Sequence, residues 1–450
     1  MYSPRIDRAF YRMVFTLVLP IAVQQLINAC ITSADIMMLG RVSESAIAGV
    51  SLAGQISFLL NLILIGISSG ASILCSQYWG KKDLRSIEEL MGFSLCAGLF
   101  VSVIFTVTAF CAPLSVMGLF TSDPVIADQG AQYLRIVCFS YPLNCCTFIY
   151  LSIMRSMEHV KISSIIYLFS LLINVFLNYV FIFGHFGSPA LGTAGAAAGT
   201  CGARLSELVL AWIYEKKYNR TARFHLRSLY VKNIALVRRF FHFALPVLMN
   251  ELAWGLGYTV LASIIGHLGQ NIVAANSVIT VLRQLSMIFS TGLASAAAII
   301  TGKTIGEGNR PLVLNYSRNF IKLSVVFGCL GAAAILILAF ASGSFIRLSP
   351  QSGNYLKIMT ALISFICIFQ SINSTIVLGI LRSGGDTKAG MIMDLVSLWG
   401  IALLFGWLSA FIWKLPFPII YMFLVCDELV KFPFAMKRYF SYKWLNDVTS

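Results

Sequence analysis

The sequence predicts an all-α integral membrane protein with twelve transmembrane helices in two six-helix lobes related by a parallel repeat. Three observations predict it. The 450 residues are 58% hydrophobic and only 11% charged, with a mean hydropathy of +0.82, so there is too little polar surface to cover a soluble particle of this size. Apolar runs near the length needed to cross ~30 Å of hydrocarbon recur from Met13 onwards, each closed by a short polar or Gly/Pro-marked turn. The second half also repeats the first at a nearly fixed offset.

The first run, Met13 to Leu39, is too long for a signal-peptide core and has no A-x-A cleavage site, which marks a retained span. Counting spans from there divides the basic residues unevenly. One set of alternate segments holds Arg5, Arg8, Arg12; Lys81, Lys82, Arg85; Arg155, Lys161; the Lys216–Arg239 stretch; Lys303 to Lys322; Arg382, Lys388; and Lys431 to Lys443. The opposite set holds only Arg41, Arg135, Arg347 and Lys414. This asymmetry places both termini in the cytoplasm of a multi-pass protein of the cell (inner or plasma) membrane. A net charge of +15 is thereby topology and contact with anionic lipid headgroups, and no nucleic-acid partner is expected. The eleven cysteines are scattered through the spans without C-x-x-C or Cys/His spacing, so they are expected to be packing residues.

Sliding the chain against itself until Leu19-Pro20 falls on Leu245-Pro246 also superposes, at the same offset, Gly40 on Gly266, Gly66 on Gly292 and Gly80 on Gly306. With one further step of offset, Arg155-Ser156 and Lys161 fall on Arg382-Ser383 and Lys388. Each half has an even number of predicted spans, so both enter the membrane in the same sense. The expected organisation is an N-lobe over 1–214, a basic cytoplasmic linker over 215–239 and a C-lobe over 240–450. The linker reads equally as an interfacial amphipathic helix or a solvated connection.

Polar groups inside spans are costly unless they face a cavity or one another. Gln24, Asn28, Thr32 and Asp35 form one helical stripe in the first span, with Asp35 its only carboxylate. A proton or a monovalent cation at Asp35 is one reading; an Asp capping the next loop beside Arg41 is the other. The fifth span carries Ser170, Asn174 and Asn178 on one face, and the sixth opens with small residues from Gly192 to Thr200. Asn174, Asn178 and Thr200 supply the oxygen ligands a hard monovalent ion or a proton relay uses; interhelical hydrogen bonding alone is the alternative.

In the second half Leu261 stands where Asp35 would repeat. Glu251 appears beside Asn250, with Trp254 and Tyr258 on the same face, a grouping suited to a cationic, partly apolar solute. Arg283 is the most obvious counter-charge for Glu251, so a structural ion pair is the competing reading. Gln370 and Asn373 in the tenth span are further cavity candidates. Asp427-Glu428 beside Lys431 reads as an end-of-helix charge cluster, and Arg204 and Glu207 are spaced to pair with each other. No H-E-x-x-H, G-x-S-x-G or G-x-x-x-x-G-K-[ST] occurs, so no enzyme, resident metal or cofactor is expected.

Six segments together resemble a known family: the L-P-x-x-x-Q opening from Leu19 to Gln24, the stretch from Asp35 to Gly40, S-Q-Y-W-G-K-K-D from Ser76 to Asp83, I-N-V-F-L-N from Ile173 to Asn178, G-A-A-A-G-T from Gly195 to Thr200, and L-R-S-G-G-D-T-K from Leu381 to Lys388. Their order along nearly the whole chain is similar to that of the multidrug and toxic compound extrusion (MATE) family, with its MOP-type fold. The resemblance implies a monomeric exporter of amphipathic, often cationic, organic solutes and drugs, driven by proton or sodium antiport. It further implies a cation site of Asp35, Asn174, Asn178 and Thr200, and a bending role for Pro20. Some members place a second carboxylate where Asn178 stands, so here the expected load is one proton or one +1 ion. Another branch uses acids in helices seven and ten; Glu251 lies about a turn nearer the proline than that pattern, and helix ten offers Ser371 and Asn373. The competing functions are a flippase of lipid-linked or polysaccharide precursors, which would show a strongly cationic cavity, and a channel or scaffold, which would need no coupling acid.

Overall fold

The computed structural model describes residues 8–219, 221, 233–345 and 348–449. Most of the expected linker, and the side chain of Thr32, lie outside the described residues. In the first half the helices are α1 (Arg8–Leu39), α2 (Glu44–Lys81), α3 (Leu84–Cys111), α4 (Pro113–Gly118), α5 (Pro124–Val137), α6 (Ser140–Ser156), α7 (Val160–Phe183) and α8 (Thr193–Lys217). The second half has α9 (Ile234–His267), α10 (Gln270–Ser286), α11 (Ile288–Gly306), α12 (Arg310–Phe345), α13 (Pro350–Asn373), α14 (Thr387–Leu395), α15 (Leu404–Trp407), α16 (Phe417–Val425) and α17 (Asp427–Phe440). No strand occurs among the described residues. The i→i+5 bonding of π-helix extends α13 through Ser374–Leu381 and flanks α15 on both sides.

Nine of the described helices are long and apolar enough to span a bilayer, or ten if α5 and α6, bent by 55° at their junction, count as one span. The twelve expected spans are thus not all continuous rods. α10 has only 17 residues, the last span is broken at Cys426 between α16 and α17, and α8 opens on a Gly/Ala/Thr run of low hydropathy. The long helices exceed the need: 38 residues in α2 extend about 57 Å at 1.5 Å per residue.

The repeat in sequence is a repeat in structure. The offset that pairs Leu19 with Leu245 also carries the first residue of α2, Glu44, onto the first of α10, Gln270, and Leu84 of α3 onto Arg310 of α12. The offset that pairs Arg155 with Arg382 carries Val160, which opens α7, onto Thr387, which opens α14. One difference stands out: α2 is continuous where its counterpart is split at Met287 into α10 and α11. Both first helices carry an internal proline, Pro20 in α1 and Pro246 in α9.

Contacts divide the described residues into two compact units, one drawn from 1–22, 76–82 and 245–450 and the other from 23–75 and 83–244. In the first, the end of α2 crosses α11 backbone to backbone. A Cβ on Gly80 would collide with the carbonyl of Lys303, and one on Gly306 with that of Gln77. Lys303 is itself the repeat counterpart of Gln77, as Gly306 is of Gly80, so the crossing is symmetric, and only glycine permits it. Residues after α17 fold back onto the same α2 segment. The Gln77 amide donates to the carbonyls of Ser383 (2.8 Å) and Asn446 (3.2 Å) while its oxygen accepts from the Val448 N–H (2.9 Å). Lys81 pairs with Asp447 at 2.8 Å, and Trp444 is fully buried with its indole N–H on the Tyr439 carbonyl.

Candidate functional site

In the second unit, α7 presents Ser170, Asn174 and Asn178 on one buried face, and a carboxylate sits at each end of that row. At one end Asn178 Nδ2 donates to Asp35 Oδ1 at 2.5 Å, and to Asn174 Oδ1 at 3.4 Å. The Asn178 carbonyl oxygen is buried without a partner. It lies against α8 at Gly199, where a Cβ would strike it, so the small-residue run holds the helices close enough for this contact. Tyr133 of α5 faces the same region; its phenol bonds Thr200 and is within electrostatic reach of Asp35. Thr200 also donates to the Ala196 carbonyl of its own helix at 3.0 Å.

At the other end of the row Ser170 donates to Glu207 Oε1 at 2.6 Å, and the Arg204 guanidinium spans both Glu207 oxygens at 2.7 and 2.9 Å. Glu207 is fully buried. The Arg204–Glu207 pairing expected from their spacing is therefore present, and it belongs to the same polar face as Asp35. Glu207, Glu251, Asp394 and Glu428 each make an ion pair. Asp35 makes none among the described residues; an amide is the partner of its carboxylate. A carboxylate, amide and hydroxyl oxygens are the donor set of a hard monovalent cation, and equally of a proton relay. A mostly apolar, open groove of about 550 Å³ lies between the same two helices, lined by Cys30, Ala34 and Met38 of α1 and by Leu171, Val175 and Tyr179 among others of α7, with none of Asp35, Asn174, Asn178 or Thr200 in its lining.

Of the remaining stripe, Gln24 is buried and accepts from Arg155 Nη1 at 3.3 Å. Asn28 and Pro20 are half-buried on α1.

The second-half residues do not assemble as the sequence suggested. Glu251 pairs with Arg382 at 3.0 Å rather than with Arg283, whose guanidinium instead donates to Gln370 Oε1 at 3.0 and 2.8 Å. The reason is the repeat. Arg382 is the counterpart of Arg155, which reaches Gln24, so each half ties the end of its fourth predicted span to its first. Trp254 and Tyr258 lie with ring centroids 4.5 Å apart and planes tilted by 41°. Asn373 donates to the backbone carbonyl and to Oε2 of Glu428 at 2.7 and 2.8 Å. Lys431 is held by Glu428 and by Asp394, so the expected end-of-helix charge cluster is an interior arrangement shared among several helices. Sequence reasoning passed over Asp394 and Tyr133. A lone Asp between Met393 and Leu395 in an apolar run was a usable signal for the first, whereas nothing in the pattern distinguished Tyr133.

Two blocks of the chain, residues 20–180 and 246–408, match the MatE family model, one block in each half of the repeat. Similar curated proteins include the uncharacterized transporter YisQ of Bacillus subtilis, 23% identical and covering 98% of this chain and 96% of its own. The probable multidrug resistance protein NorM of Thermotoga maritima is 26% identical, covering 85% and 82%. Among solved structures, a MOP superfamily transporter from Pyrococcus furiosus superposes with a TM-score of 0.85 at 16% identity, over 98% of this chain and all of that one. With a family model accounting for most of the sequence, twice over, the protein is a multi-pass membrane transporter that belongs to the MatE family, the multidrug and toxic compound extrusion transporters.

Proposed function

We propose that this protein exports amphipathic, cationic organic compounds by secondary active antiport, one proton or sodium ion entering for each cycle of alternating access, and that Asp35 is where the ion is loaded. The observation that carries this reading is the Asp35–Asn178 contact: a carboxylate oriented by an amide at 2.5 Å, with oxygen-bearing side chains around it and no direct ion pair among the described residues, Arg204 acting on it only at longer range. Such a carboxylate favours whichever conformation brings an exchangeable cation to it, and its differential affinity is what drives the two-state change. The apolar groove between α1 and α7 lies on the same helices, so an amphipathic solute and the ion act on shared elements. The basic asymmetry of the sequence supports a plasma-membrane protein with both termini cytoplasmic, and the family resemblance supports a monomer among lipids. A diphosphate-handling flippase is disfavoured because Arg204, Arg382 and Lys431 are each tied to a carboxylate.

The test is efflux of a cationic dye from proteoliposomes with pH and sodium gradients imposed separately. Uphill efflux is expected with one of the two gradients, and Asp35→Asn is expected to abolish it while leaving expression and melting behaviour near wild type. An Asp35→Asn protein that exports at the wild-type rate removes Asp35 from the mechanism, and dye movement indifferent to both gradients removes antiport.

A further inference from the structure

The second structural unit holds the open carboxylate; the first holds a cluster that is already filled. Lys431 of α17 places its ammonium 2.7 Å from Asp394 Oδ1 on α14 and 3.2 Å from Glu428 Oε1. The other oxygens of these two acids are also occupied: Asn250 of α9 donates to Asp394 Oδ2 at 2.8 Å, and Asn373 of α13 to Glu428 Oε2 at 2.8 Å. Four helices thus converge, through two carboxylates and two orienting amides, on one positive charge. The three charged side chains are only 10–15% exposed. A pair or triad buried to this degree is maintained by the geometry of its hydrogen bonds, and removing one member leaves uncompensated charge.

The space around the ammonium decides what else the cluster can hold. The adjoining cavity, bounded by Asn250, Trp254, Asp394, Trp399, Asp427 and Lys431, has a volume of about 10 Å³, enough for one water-sized group and nothing larger. Asp427 lies within electrostatic reach of both Lys431 and Arg283. The repeat supplies the comparison. At the offset that pairs Arg155 with Arg382, the counterpart of Lys431 is Arg204; it forms its direct ion pair with Glu207 and acts on Asp35 only at longer, electrostatic range, so no ammonium or guanidinium sits on the Asp35 carboxylate among the described residues.

We propose that Lys431 is a tethered counter-ion that permanently fills the Asp394–Glu428 pair of the C-terminal half, so that only the N-terminal half loads an exchangeable ion. The ammonium takes the place a monovalent cation would fill between Asp394 and Glu428, and the chain carries it through every cycle. Its consequence for stoichiometry rests on the reading of Asp35 as the loading site; the occupancy itself does not.

The experiment reads binding through stability, without transport. Lys431→Ala is expected to melt several degrees below wild type in detergent, and methylammonium or ethylammonium is expected to recover most of that loss saturably, while tetramethylammonium, too large for the vacated space, does not; wild type should respond to none of them. If Lys431→Ala cannot be purified folded, Lys431→Ala with Asp394→Asn, which removes one charge of each sign, is expected to regain folding without added amine. The idea is overturned by a Lys431→Met protein that melts and exports as wild type does, by a folded Lys431→Ala protein indifferent to both small amines, or by a double variant that still fails to fold. Repeating the amine titration in an Asp35→Asn background is expected to give the same response, which separates failure of this inference from failure of the coupling assignment.

Discussion

Gly199 gives the most direct handle on the candidate coupling site. A methyl group there would overlap the Asn178 carbonyl oxygen, with the Asn178 Cγ and backbone N only slightly farther off. The α7 and α8 backbones are packed together along this stretch, as the collision of a Cβ on Gly195 with the Phe181 carbonyl also indicates, so the side chain of Asn178 must give way. Gly199→Ala is therefore expected to swing the amide off Asp35 and forfeit the 2.5 Å contact. A hydrogen bond to a charged group is worth about 1.5–3 kcal/mol, and each 1.4 kcal/mol is tenfold in an equilibrium constant. The loss destabilises the empty, charged form of Asp35, so either cation should bind more tightly: sodium dependence of exchange should shift to concentrations about ten- to a hundredfold lower, and in a proton-driven protein the activity profile should move toward alkaline pH. Global stability should change little, because replacing a helical glycine by alanine returns roughly 1 kcal/mol of helix propensity. The control is Gly202→Ala, whose Cβ meets chiefly the flexible tip of Leu177. Efflux from proteoliposomes at graded sodium and pH decides the matter: wild-type ion dependence in Gly199→Ala, or an equal shift in both variants, would refute the reasoning.

The Arg204–Glu207 pair predicts a sharp asymmetry. Glu207→Gln leaves Arg204 buried without its counter-charge and is expected to cost about 3–5 kcal/mol, whereas Arg204→Gln with Glu207→Gln recovers most of it; thermal unfolding of the three proteins measures this, and equal stabilities would show that the pair is not buried as described. A pH effect is expected at the other unit. Burial alone would raise the Asp447 carboxyl, but its bonds to Lys81 and Thr449 outweigh this and hold it below the ordinary carboxylate range. A depressed carboxylate contributes stability that is present above its unfolded value of about 3.9 and is lost as pH falls through its folded value. The pair, with side chains 32% and 38% exposed, is screened, so its contribution is about 0.5 kcal/mol or less. Asp447→Asn should accordingly lower the melting temperature slightly at pH 7 and progressively less as pH falls below about 4, and a deficit that persists unchanged in acid would contradict the assignment.

The two-fold repeat was legible because it is written in residues that sterics make hard to exchange. Pro20 and Pro246, and Gly80 and Gly306, hold places in helix bends and backbone contacts that other side chains cannot take, so the offset survives where apolar residues have drifted. The row Ser170, Asn174, Asn178 was legible for a different reason: a period of four on an otherwise apolar helix shows its face directly. What the sequence concealed were the partners across helices. Glu251 was matched to Arg283 by proximity along the chain, but hydropathy carries no information on which of several neighbouring helices turns a basic residue inward. The repeat accounts for it to within one residue once the structure shows Arg155 beside Gln24: Gln24 aligns with Asn250, and Arg382, the counterpart of Arg155, reaches Glu251 next to it. The break at Met287 was not foreseen, although Arg283-Gln284 interrupts the apolar run just before it where α2 has Ser57-Phe58.

The hold that residues 444–448 exert on Gln77 and Lys81 bears on how the protein is made. The Gln77–Val448 bond joins positions 371 residues apart in sequence. At about 5–20 residues per second of synthesis, the end of α2 waits roughly 20–75 s after its own emergence for these partners. Throughout that interval the Gln77 side-chain oxygen and the Lys81 ammonium are without their final partners, although the backbone at Gly80 meets Lys303 earlier. This places the α2 end among the last parts of the molecule to be secured, and makes it the point at which quality-control proteases and chaperones of the membrane have longest to act.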